Sequence, residues 1–241
     1  MARALVGTSG WSYEHWRGVL YPEGLPSKGW LERYAEEFGT VELNATFYRL
    51  PAEKTFEGWA RRAPAGFIFA VKGSRFITHL RKLGDVEEPL QTFLRRCRLL
   101  REHLGPVLFQ LPPSLHRDDD RLERFLALLP DDLSFAVEFR HPSWYADAVL
   151  ERLAARGVAL CCHDMSGSVS PRVVTAPLAY LRFHGSGTRY GGDYGEAELG
   201  EASSFCKRCL AQGREVFAYF NNDAEGYAVV DARLFRRLVG G

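Results

Sequence analysis

Short apolar runs of strand composition recur along the chain and are separated by segments with helical periodicity. Eight such runs cover residues 4–9, 40–44, 67–72, 107–111, 134–140, 158–164, 178–184 and 216–221. Between them, apolar residues at helical spacing form three stripes: Leu31, Tyr34, Ala35 and Phe38; Leu90, Phe93, Leu94, Cys97 and Leu104; and Leu122, Phe125, Leu126 and Leu129. Strands that alternate with helices predict right-handed βαβ units and a parallel sheet.

The number of these units predicts the architecture. Eight βα units in 241 residues match a (β/α)8 TIM-type barrel, an α/β fold that takes about 250 residues. An open doubly wound sheet is the competing architecture. No linker divides the chain, so we predict one domain over residues 1–241. Residues 165–177, after the sixth strand, are rich in Ser and Pro and lack an apolar stripe, which predicts a loop or at most a short helix.

Side chains on a strand alternate between two faces, so each run divides into two sets. One set is apolar and is expected to face the helices; it includes Val41, Leu43, Phe67, Phe69, Val71, Val107, Phe109, Leu111, Phe135, Val137, Phe139, Ala179, Leu181 and Phe183. The other set, which would line the barrel, turns polar toward the carboxyl end of each strand, where active sites of this fold are built. Its lower layer contains Glu42, Lys72, Gln110, Glu138, Arg182 and Tyr219, and its upper layer contains Asn44, Arg140, His184, Asn221 and Asp164. On the sixth strand either Asp164 or His163 can point inward, but not both.

The charges of this inward set balance. Three carboxylates, Glu42, Glu138 and Asp164, face three cations, Lys72, Arg140 and Arg182. A structural ion-pair network would need such a balance, because buried charges must be paired. Barrel interiors are usually filled with branched apolar residues, which favours the floor of a functional site. His163 and His184 add metal-ligand types, but no ligand spacing is present and the cations oppose a divalent ion, so we predict no metal and no other cofactor.

Two loops at the ends of the last strands could hold a ligand. Residues 184–195, HGSGTRYGGDYG, could bind a phosphate through backbone N–H groups, although no phosphate-loop motif is present and a loop without a ligand is the alternative. Asn221 and Asn222 place two amides at the end of the eighth strand, followed by Asp223, which is also a common helix cap. The aromatic segment GTSGWSYEHW, residues 7–16, follows the first strand and is expected to form one wall of the same opening.

Composition and net charge limit the classes of protein and the cellular locations that fit this chain. A net charge of +1 gives no global electrostatic case for binding nucleic acid or an anionic membrane. No apolar stretch is long enough to span a bilayer, and the N-terminus does not read as a signal peptide. The five cysteines lack the spacing of a disulfide framework. We therefore expect a soluble cytoplasmic protein without membrane association.

Seven ordered motifs carry a resemblance to a known family. GTSGWSYEHW, VELNATFYRLP, FAVKGSRFITH, LGPVLFQLPPS, EFRHPSW, LRFHG and YFNND closely resemble the domain of unknown function 72 family (YecE-like). The resemblance covers nearly the whole chain and implies a TIM-type barrel, but it implies no reaction. The motif positions that carry over are Trp11, Tyr13, Trp16, Glu42, Asn44, Thr46, Phe47, Tyr48, Lys72, Arg75, His79, Gln110, Pro112, Glu138, Arg140, His141, Arg182, His184, Asn221, Asn222 and Asp223.

The leading hypothesis is an enzyme or ligand-handling barrel that accepts a small polar or anionic organic ligand, phosphorylated or not. The catalytic candidates are Glu42, Lys72, Glu138 and His184, as acids, bases or charge donors. The ligand-binding candidates are Trp11, Tyr13, Asn44, Tyr48, Arg75, Gln110, Arg140, His141, Asp164, Arg182, Tyr219, Asn221 and Asn222. The anion site is expected to centre on Arg140 and His184, since an arginine fork suits carboxylate or phosphate.

Two hypotheses from other classes remain beside it. A nucleic-acid-binding or metal-dependent phosphodiesterase barrel would need metal ligands and a basic rim, for which Arg75, Arg81, Lys82 and Arg189 are the candidates. A non-catalytic binding or regulatory barrel would use the same opening without chemistry, because the fold by itself does not determine function.

Overall fold

The computed structural model describes residues 2–165, 167–185 and 191–240. Its strands are β1 (Ala4–Thr8), β2 (Thr40–Leu43), β3 (Ile68–Lys72), β4 (Leu104–Gln110), β5 (Phe135–Glu138), β6 (Ala159–Met165), β7 (Ser168–Val169), β8 (Leu178–Phe183) and β9 (Glu215–Phe220). Its α-helices are α1 (Trp30–Glu37), α2 (Ala45–Tyr48), α3 (Glu53–Arg62), α4 (Glu87–Cys97), α5 (Asp119–Ala127), α6 (Asp147–Ala155), α7 (Glu196–Ala211) and α8 (Tyr227–Val239). Each of the eight runs that the pattern predicts as strands overlaps with one of these strands.

Eight parallel strands form a nearly closed barrel. They follow the order β1-β9-β8-β6-β5-β4-β3-β2, and the short β7 pairs antiparallel with β6. Between β1 and β2 the pairing is limited to a bridge between Ser9 and Glu42, where the Gly10 amide donates to the Glu42 carbonyl at 2.9 Å. The predicted TIM-type barrel is confirmed, and the open doubly wound sheet is excluded.

A tyrosine from α1 joins the two strands at this seam. The Thr8 amide donates to the Tyr34 hydroxyl at 3.0 Å, and that hydroxyl donates to the Thr40 carbonyl at 3.0 Å. The side chain therefore supplies the hydrogen bonds that a β1–β2 ladder would otherwise make. Gly7 permits the close approach, because a Cβ at this position would lie 2.2 Å from the Thr40 carbonyl oxygen.

The barrel separates two cores. The larger one lies between the sheet and the helices and contains the set that alternation assigned to that side, including Val41, Phe69, Phe109, Val137 and Leu181. The smaller one fills the inside of the barrel toward the amino ends of the strands, and its members include Leu5, Ala70, Leu108, Ala136, Tyr180, Phe217 and Tyr219. The predicted orientation of the apolar faces is confirmed.

In two segments the predicted secondary structure can be compared with the observed one: the first prediction is confirmed and the second is wrong. Between β6 and β8 the described residues form the β7 hairpin and no helix, as the Ser/Pro composition predicts. The assignment of Leu104 to a helical stripe is wrong, because α4 ends at Cys97 and Leu104 begins β4. The intervening 3-10 segment contains Arg101 at a φ of 54°, which breaks the helical path. No helix in the described part of the chain is long and apolar enough to cross a membrane.

Candidate functional site

A buried arginine joins two glutamates at the centre of the barrel. The Arg182 Nη1 donates to Glu138 Oε2 at 2.7 Å, and its Nη2 donates to Glu42 Oε1 at 2.8 Å. All three residues have no solvent exposure, and they come from β8, β5 and β2. Arg140 and Lys72 border this triad, and we call the five residues the charged cluster. The predicted convergence of Glu42, Lys72, Glu138 and Arg182 inside the barrel is confirmed.

Glu42 is engaged on both of its carboxylate oxygens. Oε1 accepts from the Ser9 hydroxyl at 2.8 Å as well as from Arg182, and Oε2 accepts from the Tyr180 hydroxyl at 2.7 Å. Each of these donors is itself buried. The arrangement suits an anchor for Arg182 better than a base that is open to a substrate.

Glu138 lies between two guanidinium groups. Besides Arg182, it forms an ion pair with Arg140 Nη2 through its Oε1 atom. Burial alone would raise the pKa of this carboxyl, but Arg140 and Arg182 together hold it well below its usual range. Glu138 is therefore an ionised group at neutral pH and is poorly suited to donate a proton.

His184 accepts hydrogen bonds from the same two arginines. Its Nε2 lies 2.7 Å from Arg140 Nη2 and 3.2 Å from Arg182 Nη1. Because a guanidinium can only donate, Nε2 must be the unprotonated nitrogen of a neutral ring. Burial and the charge of Arg182 lower the pKa of His184 well below its usual value. In this arrangement His184 orients the two guanidinium groups.

Lys72 differs from the rest of the cluster because no carboxylate of the described residues forms an ion pair with it. Its Nζ lies 4.4 Å from the centre of the Phe47 ring, and within the described residues it makes no ion pair or hydrogen bond. The residue is 9% exposed, so the amine reaches the edge of solvent at the mouth, the opening at the carboxyl ends of the strands. Burial first, and then the charge of Arg182, lower the pKa of Lys72 to about 7, against the opposing effect of Glu138 and Glu42.

Arg140 is in contact with His184, and its guanidinium fork is not open to solvent. Nη2 contacts Glu138 and His184, Nη1 donates to the Met165 thioether sulfur at 2.7 Å, and the buried Nε has no partner among the described residues. The side chain is 6% exposed. This is neither a closed bidentate pair with Glu138 nor a freely accessible fork.

The sixth strand points His163 inward, so the placement of Asp164 in the site is wrong. The His163 ring lies 6.5 Å from the His184 ring, and burial lowers its pKa to about 4. Asp164 is half-buried on the opposite face, where the charged groups near it are Arg172 and Glu198. The pairing of β6 with β8 sets this choice, because His163 is in register with the inward Arg182.

The two asparagines after β9 have different surroundings. Asn222 is fully buried, and its side-chain amide donates to Asp231 on α8 at 2.6 Å and to the Gly192 carbonyl at 2.8 Å. Asn222 therefore connects this loop to the last helix and does not line the mouth as expected. Asn221, the first residue after β9, is partly exposed, and its backbone amide donates to the Phe183 carbonyl at 2.7 Å.

The first loop contributes mostly core rather than a binding wall. Trp11 packs at 5.7 Å edge-to-face on Trp59 of α3 and 6.3 Å from Phe69, so it lies against the outer core on the helix side of the sheet and not in the expected wall of the mouth. Trp16 is fully buried and donates to Asp223 at 2.7 Å. Tyr13 is partly exposed near Glu42 and Tyr48 and donates to the Ser9 carbonyl at 2.7 Å.

Three further candidate residues lie in the segments that follow the carboxyl ends of the strands. Tyr48 is 73% exposed and stands edge-to-face on Phe47 at 5.1 Å. Arg75 is exposed in the segment after β3. His141 stacks on His116 at 3.8 Å and accepts from the Ser143 amide, which makes it a cap of a short helix on the outer rim.

Three others lie inside the barrel. Gln110 is partly exposed beside Glu138 in the strand register and donates to the Leu111 carbonyl at 3.2 Å. The Asn44 side-chain oxygen is buried without a partner in the described structure. Tyr219 is fully buried in the inner core, where its hydroxyl bonds to Thr40 Oγ1 at 2.8 Å.

Sequence reasoning left Ser9 and Tyr180 out of the site, although both bind Glu42 directly. Alternation does place Tyr180 on the inward face, two residues before Arg182, but it does not indicate that the Tyr180 hydroxyl binds Glu42. The sequence also assigns no role to His79. This residue lies in a five-residue π-helical segment, Phe76–Leu80, and its ring contacts the Phe47 ring edge-to-face at 5.0 Å. Burial, with the charges of Lys72 and Arg75, lowers the pKa of His79.

The glycine-rich loop is only partly described. Gly187 and Arg189 lie outside the described residues, so the expected phosphate site cannot be placed on them. Two flanking amides already donate within the protein: Gly185 to the Tyr194 hydroxyl at 3.0 Å and Gly195 to Glu198 at 2.6 Å.

The chain is similar in sequence to two UPF0759 proteins. It is 31% identical over 154 residues to the UPF0759 protein YecE of Escherichia coli K12, a match that covers 64% of this chain and 54% of YecE, about half of that protein's length. It is 26% identical over 268 residues to the UPF0759 protein YunF of Bacillus subtilis, covering 97% of this chain and 94% of YunF.

Solved structures agree with the fold. A DUF72 family protein from Thermotoga maritima superposes with a TM-score of 0.89 at 31% identity, covering 99% of this chain and all of the other. One from Enterococcus faecalis, at 21% identity, shares the fold with a TM-score of 0.85 over 99% of this chain and 96% of its own. The family model described as Protein of unknown function DUF72 matches residues 5–241. The chain therefore belongs to the DUF72 family.

Proposed function

We propose that this protein is an enzyme that binds a small organic anion at the mouth of its barrel. The observation that carries the proposal is the charge of the cluster. With Asp164 on the other face, three cations (Lys72, Arg140 and Arg182) are left with two carboxylates, Glu42 and Glu138. A carboxylate or phosphate group of a ligand would supply the missing negative charge.

The exposure of the cluster indicates where the anion would bind. Arg182, Glu42 and Glu138 are covered completely, whereas Lys72 and the Arg140 side chain retain 9% and 6% exposure. A ligand that enters through the mouth would therefore meet Lys72 and Arg140 first. The Met165 sulfur is a weak acceptor for Arg140 Nη1, and an anionic oxygen in its place would make a stronger, charge-assisted hydrogen bond.

Lys72 supports an enzyme in preference to a passive binding barrel. An amine with a pKa of about 7 can take up or release a proton at neutral pH, which an ordinary lysine cannot do. The alternative of a metal-dependent phosphodiesterase has no comparable support, because no group of three or more His, Cys, Asp or Glu in residues 2–165, 167–185 and 191–240 is arranged to hold a metal.

Calorimetric titration with phosphate and with glycolate tests the proposal. We expect binding to wild type at pH 7 and an affinity at least about tenfold weaker, about 1.4 kcal/mol, in Arg140→Gln and Lys72→Met. Because a bound anion raises the pKa of Lys72, binding should take up protons at pH 8 and weaken as the pH rises further. Arg152→Gln, on the outside of α6, is the matched control. Absence of binding, or equal binding by all variants, would contradict the proposal.

A further inference from the structure

We propose that Lys72 forms an imine with the carbonyl carbon of its substrate, so that the protein acts on small aldehydes or ketones that carry a carboxylate or phosphate. This inference rests on the proposed function above, because the anionic part of the substrate binds at the same mouth. The carbonyl part then lies against the amine at the end of β3.

The position of Lys72 suits a nucleophile. It is the last residue of β3 and points inward, at the end of the barrel where this fold places its catalytic groups. The nitrogen lies over the Phe47 ring, and no carboxylate or hydrogen-bond acceptor in the described chain occupies it. The lone pair of the neutral amine is therefore available to attack an electrophile that enters from the mouth.

The surroundings lower the pKa of this amine, so that a large fraction of it is unprotonated at neutral pH. Arg182 and Arg140 repel a proton on Lys72, and Glu138 and Glu42, which would attract one, are already committed to the arginines. At pH 7 an amine with a pKa of about 7 is about half unprotonated, whereas an exposed lysine is unprotonated in on the order of one molecule in a thousand. Desolvated lysines next to other cations are the ones that form Schiff bases.

The reaction balances without a cofactor. The Lys72 lone pair forms a C–N bond as the carbonyl π electrons move to oxygen, and the resulting carbinolamine loses that oxygen as water. The two amine hydrogens leave with it, so that one C=N bond and one water replace the C=O bond and the amine. The guanidinium of Arg140 would hold the substrate anion during these steps.

Reductive trapping tests the proposal. Wild type is incubated with glyoxylate and cyanoborohydride at pH 7, and the modified lysines are located by peptide mass spectrometry. The chain has five lysines, Lys28, Lys54, Lys72, Lys82 and Lys207, so each site can be followed separately. We expect a carboxymethyl adduct on Lys72 to form at least about tenfold faster than on Lys54, which is exposed on α3. Trapping at Lys72 no faster than at Lys54 would overturn the imine.

Two variants and two ligands separate the possible failures. Lys72→Arg keeps a cation but has no amine to trap, so it should bind glycolate and form no adduct at residue 72, whereas Lys54→Met should be trapped at Lys72 like wild type. Glycolate, which has the anion but no carbonyl, should slow trapping. If glycolate binds and Lys72 stays unmodified, the imine is wrong and the anion site stands. If glycolate does not bind, the proposed function itself fails. Equally fast trapping by acetaldehyde would overturn the anionic substrate class.

Discussion

The two halves of the barrel interior are built on the same strands and have opposite chemistry. Toward the amino ends, the inward side chains are Ala70 on β3, Ala136 on β5 and Tyr180 on β8, which belong to the apolar inner core. Two residues further along the same strands they are Lys72, Glu138 and Arg182. The lower half shows that the barrel closes and packs without charges, so the upper half needs an explanation other than folding.

Burial sharpens this contrast. Charges cost free energy when they are removed from water, and apolar residues of similar size would fill the same space at no such cost. The chain nevertheless places five charged groups in this half of the barrel interior and leaves one of them, Lys72, without an anionic partner among the described residues. A layer that is unfavourable for stability and lies at the mouth is typical of a functional site.

The largest effect is expected from the centre of the charged half. Arg182→Met should lower the free energy of unfolding by about 3–5 kcal/mol, because it leaves two buried carboxylates short of a cation. Arg62→Met is the control, since its pair with Glu32 has similar distances of 2.7 Å but lies at the surface with side chains 38% and 48% exposed; it should cost less than about 1 kcal/mol. Urea denaturation measures both. Equal losses would show that the cluster is energetically an ordinary surface pair.

Lys72→Met should instead stabilise the protein. Replacing a buried, unpaired amine by an apolar side chain of similar length should raise the free energy of unfolding by about 1–3 kcal/mol at pH 7. The folded pKa of about 7 lies below the unfolded value near 10.4, so between these values the unfolded chain binds more protons and wild-type stability rises with pH. The advantage of the variant should shrink by pH 9.5. Urea denaturation at both pH values checks this, and a variant that is less stable than wild type at pH 7 would refute it.

In the apolar half, the expected effect is smaller and separate from binding. Phe217→Leu removes part of a ring that stacks on Tyr180 with centroids 6.4 Å apart, and it should cost about 1–2 kcal/mol of stability. Anion affinity should stay within about twofold of wild type, because no atom of Phe217 belongs to the charged cluster. Thermal unfolding and calorimetric titration measure the two quantities. A tenfold loss of affinity would show that the halves are coupled.

The smallest effect is expected at Asp164. Because its carboxyl lies on the outer face of β6, Asp164→Asn should leave anion affinity within about twofold of wild type, in contrast to Arg140→Gln. The same titrations provide the comparison. A change in affinity as large as that of Arg140→Gln would return Asp164 to the site and remove the excess positive charge on which the proposed function rests.

The local pattern of apolar and polar residues predicted much of this architecture. Period-two alternation is a property of single strands, so it placed Glu42, Lys72, Glu138 and Arg182 on one face without any knowledge of the neighbouring strands. The rhythm of strands and helices likewise predicted the barrel. Parallel strands that end on one side of a barrel bring such residues together regardless of loop details, which is why the charged cluster could be predicted.

Tertiary structure decided what local pattern left ambiguous. The sixth strand, VALCCHD, is apolar on both faces, so alternation does not choose between His163 and Asp164, and the register with β8 does. Trp11 and Asn222 lie in loops, whose side chains turn toward whichever surface offers packing or hydrogen bonds, here α3 and α8. Whether Lys72 forms an ion pair also depends on distances between strands that are far apart in sequence. In the folded chain, the two carboxylates Glu42 and Glu138 pair with Arg182 and Arg140 instead. Sequence alone determined that Glu42, Lys72, Glu138 and Arg182 share the barrel interior, and only the three-dimensional register excluded Asp164 and determined which of the charges pair.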